Sequence, residues 1–129
     1  MLNYLWIMFG GALGTGGRFW LSGVVARRAG ELFPLGTLAV NISGSFVIGF
    51  FAAIADPQGP FLISPRFRQF FMIGLCGGYT TFSSFSLQTL DLMKEGDWLR
   101  AAANCIASVV GCLVAVWLGR AVGVSLITK

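Results

Sequence analysis

The chain has 129 residues, of which 56% are hydrophobic and 11% charged, with a formal net charge of +4 and no histidine. So little polar surface excludes a soluble domain of this size and points to an integral membrane protein. The three cysteines, Cys76, Cys105 and Cys112, all lie in apolar runs, and without histidine no metal cluster of ordinary spacing can be built, so they read as small buried apolar residues.

Stops and starts mark four predicted membrane spans in one domain covering the whole chain. The first covers residues 2–26, about 37 Å of helix, and stops at the "ARRAGE" run, where Gly30 offers a C-terminal stop. It opens without the cationic stretch of a signal peptide and is expected to stay as a span. Its glycines at 10, 11, 14, 16 and 17 form a small face that favours close helix packing. Arg18 follows them, and either draws anions into a vestibule or anchors the helix by reaching an interface. The second span starts after Pro34 and ends where Asp56 and Pro57 break it. The third begins with Ser64 as N-cap and Pro65 at the first helical position, and runs to Met93 with a glycine interruption inside. The fourth starts from Asp97 as N-cap and continues through Val124.

Cation placement bears on topology. With four spans, Arg27, Arg28, Lys94 and Arg100 fall on one side, and Arg66, Arg68, Arg120 and Lys129 on the other. This balance removes the usual bias toward one orientation, and points to a chain that inserts both ways up and pairs as an antiparallel homodimer. The competing reading is a small protein of fixed orientation whose charge bias is simply weak.

Polar residues inside spans need partners or a watery path. Thr37, Asn41 and Ser45 recur every four residues on the second span, as do Asn104, Ser108 and Cys112 on the fourth. The third adds Thr80, Thr81, Ser83, Ser84, Ser86, Gln88 and Thr89. Such stripes either glue helices together or offer donors to a species that accepts hydrogen bonds. No acidic residue or histidine lies in the middle of a span. That weakens the alternative of a small proton-coupled multidrug exporter, and it also counts against a membrane enzyme, leaving passive conduction or a structural membrane subunit.

The stretch "GGYTTFSSFS", residues 77–86, joins paired glycines to five serine and threonine hydroxyls. The glycines allow the third span to break near Gly77–Thr80, and freed carbonyls at such a break can hold a dehydrated sodium ion. Phe82 and Phe85 project from one face, and aromatic edges carry partial positive charge that can meet an anion without trapping it. Packing is the plainer reading of two phenylalanines at this spacing.

With "GGALGTGGRFW" in the first span, "GTLAVNISGSFVIGF" in the second and "GLCGGYTTFSSFSLQT" in the third, the chain resembles the Fluc (CrcB) fluoride channels over essentially its whole length. The resemblance implies an all-α, four-span subunit of the bacterial inner membrane. It further implies an antiparallel dual-topology homodimer with two fluoride pores and a sodium ion at the dimer interface. On matching positions, the carbonyls of Gly77 and Thr80 would hold the sodium, and Phe82, Phe85 and Asn41 would line the pore. Thr37, Ser83, Ser84 and Ser108 would be candidates for a polar track. Cys112 stands one turn after Ser108, where some members carry a hydroxyl, and a thiol is a weak donor. The implied activity is passive export of cytoplasmic fluoride, with the bilayer, fluoride and a second copy as partners and no role for nucleic acid.

Overall fold

In a computed structural model, residues 1–30 and 32–128 are described. Glu31 and Lys129 lie outside the described residues, so the Lys129 charge counted above belongs to that remainder. The described residues form helices and turns without strands.

Local signals place most of the ends. Helix α1, Leu2–Ala29, stops at Gly30, whose positive φ of 78° suits glycine and whose N–H donates to the Ala26 carbonyl at 3.0 Å. It runs three residues past the expected end at 26 because nothing in the "ARR" stretch opposes a helix, and Arg27 and Arg28 favour its negative end. Helix α2, Leu35–Ile54, begins after Pro34 and is closed by a turn in which Asp56 Oδ1 accepts from Gln58 N at 2.9 Å. Ser64 caps α3, Pro65–Gln69, by accepting from Phe67 N at 3.3 Å, with Pro65 in its first turn. Asp97 caps α6, Trp98–Ile127, by accepting from Arg100 N at 3.1 Å, and also pairs with the Arg100 guanidinium.

The third helical stretch is composite. After α3 the chain winds as a π-helix over Phe70–Cys76, returns to α geometry in α4, Gly77–Tyr79, and resumes as α5, Phe82–Lys94. Between α4 and α5 the backbone is extended, at φ −82°, ψ 156° for Thr80 and φ −150°, ψ 114° for Thr81. The glycines are not the residues that leave helical geometry: Gly77 is helical at φ −64°, ψ −38°, and Gly78 lies within α4. The extended conformation falls on two threonines, whose β-branched side chains favour it. Gly78 is needed for clearance instead, since a Cβ there would sit 2.5 Å from the Gly11 carbonyl oxygen.

Packing runs mainly between two partnerships, α1 with the π-helical segment and α4, and α2 with α6. Both are backbone-close. Gly10 and Gly14 face the Phe70 and Leu75 backbone, and across the other pair Gly119 faces the Phe46 carbonyl, so small residues set the approach. Helix α5 packs mainly on α6, with a smaller contact to α2.

The buried set is small and mostly made of light side chains, including Val40, Ala53, Ala101 and Ala115, whereas large apolar side chains such as Phe19, Trp20, Trp117 and Leu118 lie on the outside. Helices α2 and α6 are each long and apolar enough to cross a bilayer, yet only 33% and 22% of their most apolar stretches are buried within the subunit. A helix at the core of a soluble protein would bury most of that surface. These two shed it outward, as a membrane protein does.

Candidate ion-permeation site

The extended Thr80–Thr81 segment would leave main-chain groups unpaired, and a side chain from α2 answers for two of them. Asn41 Nδ2 donates to the Thr81 carbonyl at 3.0 Å, while Thr81 N–H donates to Asn41 Oδ1 at 2.8 Å. One carboxamide thus replaces both helical bonds of one residue, and its orientation is forced because the Thr81 N–H can meet only the oxygen. The clamp uses only one of the two Nδ2 protons, and Asn41 also lines a cavity.

Thr81 also opens α5. Its Oγ1 accepts from Ser84 N at 3.3 Å and bonds the hydroxyls of Ser84 and Ser83, both at 3.2 Å. Three hydroxyls therefore cluster at the first turn of a 13-residue helix, where the N-terminal dipole favours negative charge.

Two concavities meet at this point. The first, of about 560 Å³, is lined by Arg18, Thr37, Thr81, Ser84 and Gln88 among others. The second, of about 420 Å³, is lined by Asn41, Thr80, Phe82, Phe85, Ser108 and Cys112 together with mostly apolar neighbours, Gly77 among them. Thr81 is the residue they share. The candidate residues accordingly divide. Arg18, Thr37 and Ser84 face one cavity, Asn41, Phe82, Phe85, Ser108, Gly77 and Thr80 the other, and Ser83 lines neither, meeting Thr81 instead.

Phe82 and Phe85 lie with ring centroids 5.2 Å apart and planes tilted by 53°. They are side by side on the wall of the second cavity rather than stacked. Phe82 is 76% exposed within a single subunit, so most of its ring faces away from its own chain.

The polar stripes resolve into different tasks. On α2, Thr37 faces the first cavity while Asn41 and Ser45 face the second. Ser86 and Thr89 donate to the carbonyls of Phe82 and Phe85 at 2.9 and 2.7 Å, which commits their protons to α5 itself. On α6, Asn104 is only 2% exposed and lies behind the cavity wall rather than on it.

A contact that sequence reading missed joins Ser43 and the Tyr79 hydroxyl at 2.8 Å, tying α2 to α4 just before the extended segment. Ser43 lies off the four-residue stripe of α2, so no periodicity singles it out. Thr81 was visible as one hydroxyl among several. Its status as the clamped residue depends on Asn41, 40 positions away.

Among the described residues the fold is all-helical, with apolar helices facing outward around a polar, clamped discontinuity, an arrangement that fits a membrane protein. The model of the family described as "CrcB-like protein, Camphor Resistance (CrcB)" matches residues 5–120, and the chain belongs to that family. It is 55% identical over 125 residues to a protein of Methylocella silvestris named "Fluoride-specific ion channel FluC", covering 97% of this chain and 95% of that one. Proteins of the same name from Opitutus terrae and Rhodospirillum rubrum are each 58% identical, covering 98% and 99% of this chain and 96% and 98% of theirs.

Proposed function

We propose that the chain is a fluoride-selective passive channel of the bacterial inner membrane, built as an antiparallel homodimer of four-span subunits with two pores, and not an enzyme. The observation that carries this reading is the Asn41–Thr81 clamp between two concavities furnished with hydroxyls, a single arginine and aromatic edges. The names of the near-full-length relatives support fluoride as the ion.

Fluoride is small and strongly hydrated, so a pore must replace its water with closely set donors. In this reading Arg18 raises the local anion concentration at the first cavity, where Thr37 and Ser84 offer hydroxyls. Beyond Thr81, the second Asn41 N–H, the Ser108 hydroxyl and the edges of Phe82 and Phe85 offer weaker partners, which lets the ion leave as readily as it enters. The outward-facing ring of Phe82 and the exposed apolar flanks suit a second copy that completes the pore wall.

The donor set also suits a sodium ion at the break. The Gly77 carbonyl would pair with Thr81 N–H in an unbroken helix, but that N–H goes to Asn41, leaving the carbonyl available. The carbonyls of Gly77 and Thr80 would hold the ion, as hard oxygen ligands without a carboxylate, and it would supply fixed positive charge that ties two copies together.

The test is ion efflux from liposomes containing the purified protein, with fluoride and chloride compared and a pH gradient imposed or absent. Fluoride flux that follows its electrochemical gradient, exceeds chloride flux and ignores the pH gradient is expected. Flux of a bulky cation driven by the pH gradient, or no flux, would overturn the channel reading in favour of an exporter or a structural subunit.

A further inference from the structure

Five helix hydroxyls donate to backbone carbonyls three or four residues earlier, Ser22 to Phe19, Ser43 to Val40, Ser86 to Phe82, Thr89 to Phe85 and Ser125 to Val122, while Thr15 donates across to the Gly78 carbonyl. Ser108 differs. Its Oγ donates to the side-chain oxygen of Asn104 at 3.5 Å, at the outer limit of a hydrogen bond.

The direction of every bond behind Ser108 follows from the chemistry. Thr89 Oγ1 lies 2.7 Å from the Phe85 carbonyl, which can only accept, so the single Thr89 proton is committed there. The Asn104 atom 2.9 Å from Thr89 Oγ1 must therefore be the donating Nδ2, which turns Oδ1 toward Ser108. Protons thus point one way along the chain from Ser108 through Asn104 and Thr89 to the Phe85 carbonyl. Asn104, Thr89 and Ser108 are all buried, at 2%, 6% and 8% exposed, and of the three Ser108 alone lines the second cavity.

We propose that Asn104, oriented by Thr89, is a positioning residue that holds the Ser108 proton off its own backbone and in a weak bond, ready to be offered as a hydrogen bond to an anion in the second cavity. This rests on the channel reading above. A serine bonded at short range to a carbonyl would have to break a strong bond before meeting the ion. Ser108 breaks a long one without losing its proton, and its hydroxyl turns back to donate to Asn104 Oδ1 once the ion has passed. The same chain ends on the Phe85 main chain, so the hydroxyl on α6 and the ring on α5 are kept in register.

The test is a cycle of fluoride efflux measurements on wild type, Thr89→Val, Ser108→Ala and the double variant, with Thr89→Ser as the conservative control and dimer integrity checked by size exclusion. Val matches Thr in shape but cannot accept from Asn104, so the amide is free to turn, and flux should fall about fivefold, the worth of one ordinary hydrogen bond. Thr89→Ser should restore most of the flux. In the Ser108→Ala background, where there is no hydroxyl to position, Thr89→Val should change nothing further. Equal losses from Thr89→Val in both backgrounds, or a Thr89→Ser flux as low as that of Thr89→Val, would reduce the contact to packing and overturn the proposal. If Thr89→Val does not yield an intact dimer, Thr89→Cys, whose thiol accepts poorly, goes through the same cycle. Absence of fluoride flux in wild type would instead defeat the channel reading itself.

Discussion

Replacing Asn41 by leucine keeps the branched heavy-atom skeleton of the side chain, with somewhat larger tips, while removing both halves of the clamp on Thr81. The two bonds lost measure 3.0 and 2.8 Å and are part-buried. Each main-chain group left without a partner costs about 1–3 kcal/mol, and because Thr81 borders two cavities that water can enter, the lower end applies, for a total of about 2–3 kcal/mol. At 1.4 kcal/mol per decade this shifts the local equilibrium toward opening by about thirtyfold or more. Hydrogen–deuterium exchange followed by mass spectrometry reads this directly. Amides around Thr81 should lose protection by that factor in Asn41→Leu, while the α2–α6 pair, joined elsewhere, keeps its protection. Unchanged exchange at Thr81 would refute the argument, because the segment would then be held by something other than the carboxamide.

Other substitutions separate packing from conduction. Gly119→Ala drives a Cβ into the Phe46 carbonyl and should lower stability by about 1–3 kcal/mol, read as a lower melting temperature in detergent, whereas Gly16→Ala meets no atom within 4 Å and should be neutral or slightly stabilising. Phe82→Ile should suppress fluoride flux while the dimer still forms on size exclusion, and unchanged flux would reduce the ring to a packing role. Arg18→Gln should slow flux several-fold at low ionic strength and much less near 1 M salt, where the Debye length falls to about 3 Å. Purified dimer washed free of sodium should retain about one bound ion by elemental analysis if the Gly77 and Thr80 carbonyls bind it as tightly as a structural site requires.

Much of the helical layout was legible in the sequence because helix ends are local affairs. Ser64 with Pro65, Asp97 and Gly30 act within a few residues of themselves; the first two mark helix starts where they were expected, and Gly30 stops α1 as expected of it, although the helix reaches that stop three residues beyond the span's expected end. The interior of the third stretch was less legible. Paired glycines advertise backbone freedom, but the structure uses Gly78 for clearance against α1 and puts the extended backbone on Thr80 and Thr81. No local signal separates those two uses of glycine, because the difference lies in what stands opposite. The π-helical winding of Phe70–Cys76 likewise has no counterpart in residue type or spacing.

The candidate site divides along the same line. Residue chemistry alone placed hydroxyls, an asparagine, a pair of phenylalanines and one arginine within apolar spans with no acid in the middle of any span, and left two uses open for them, packing helices or meeting a small hydrogen-bond acceptor. Only the tertiary structure decided which of these groups line a cavity and which are engaged by neighbouring protein groups. Asn41 and Thr81 are 40 residues apart and Asn104 and Thr89 are 15 apart, so whether a polar side chain clamps a backbone, orients a neighbour or faces a cavity depends on helix packing. A hydrogen-bonding group has few protons to give, and the partner that claims each one is a fact of three-dimensional proximity that periodicity along one helix does not contain.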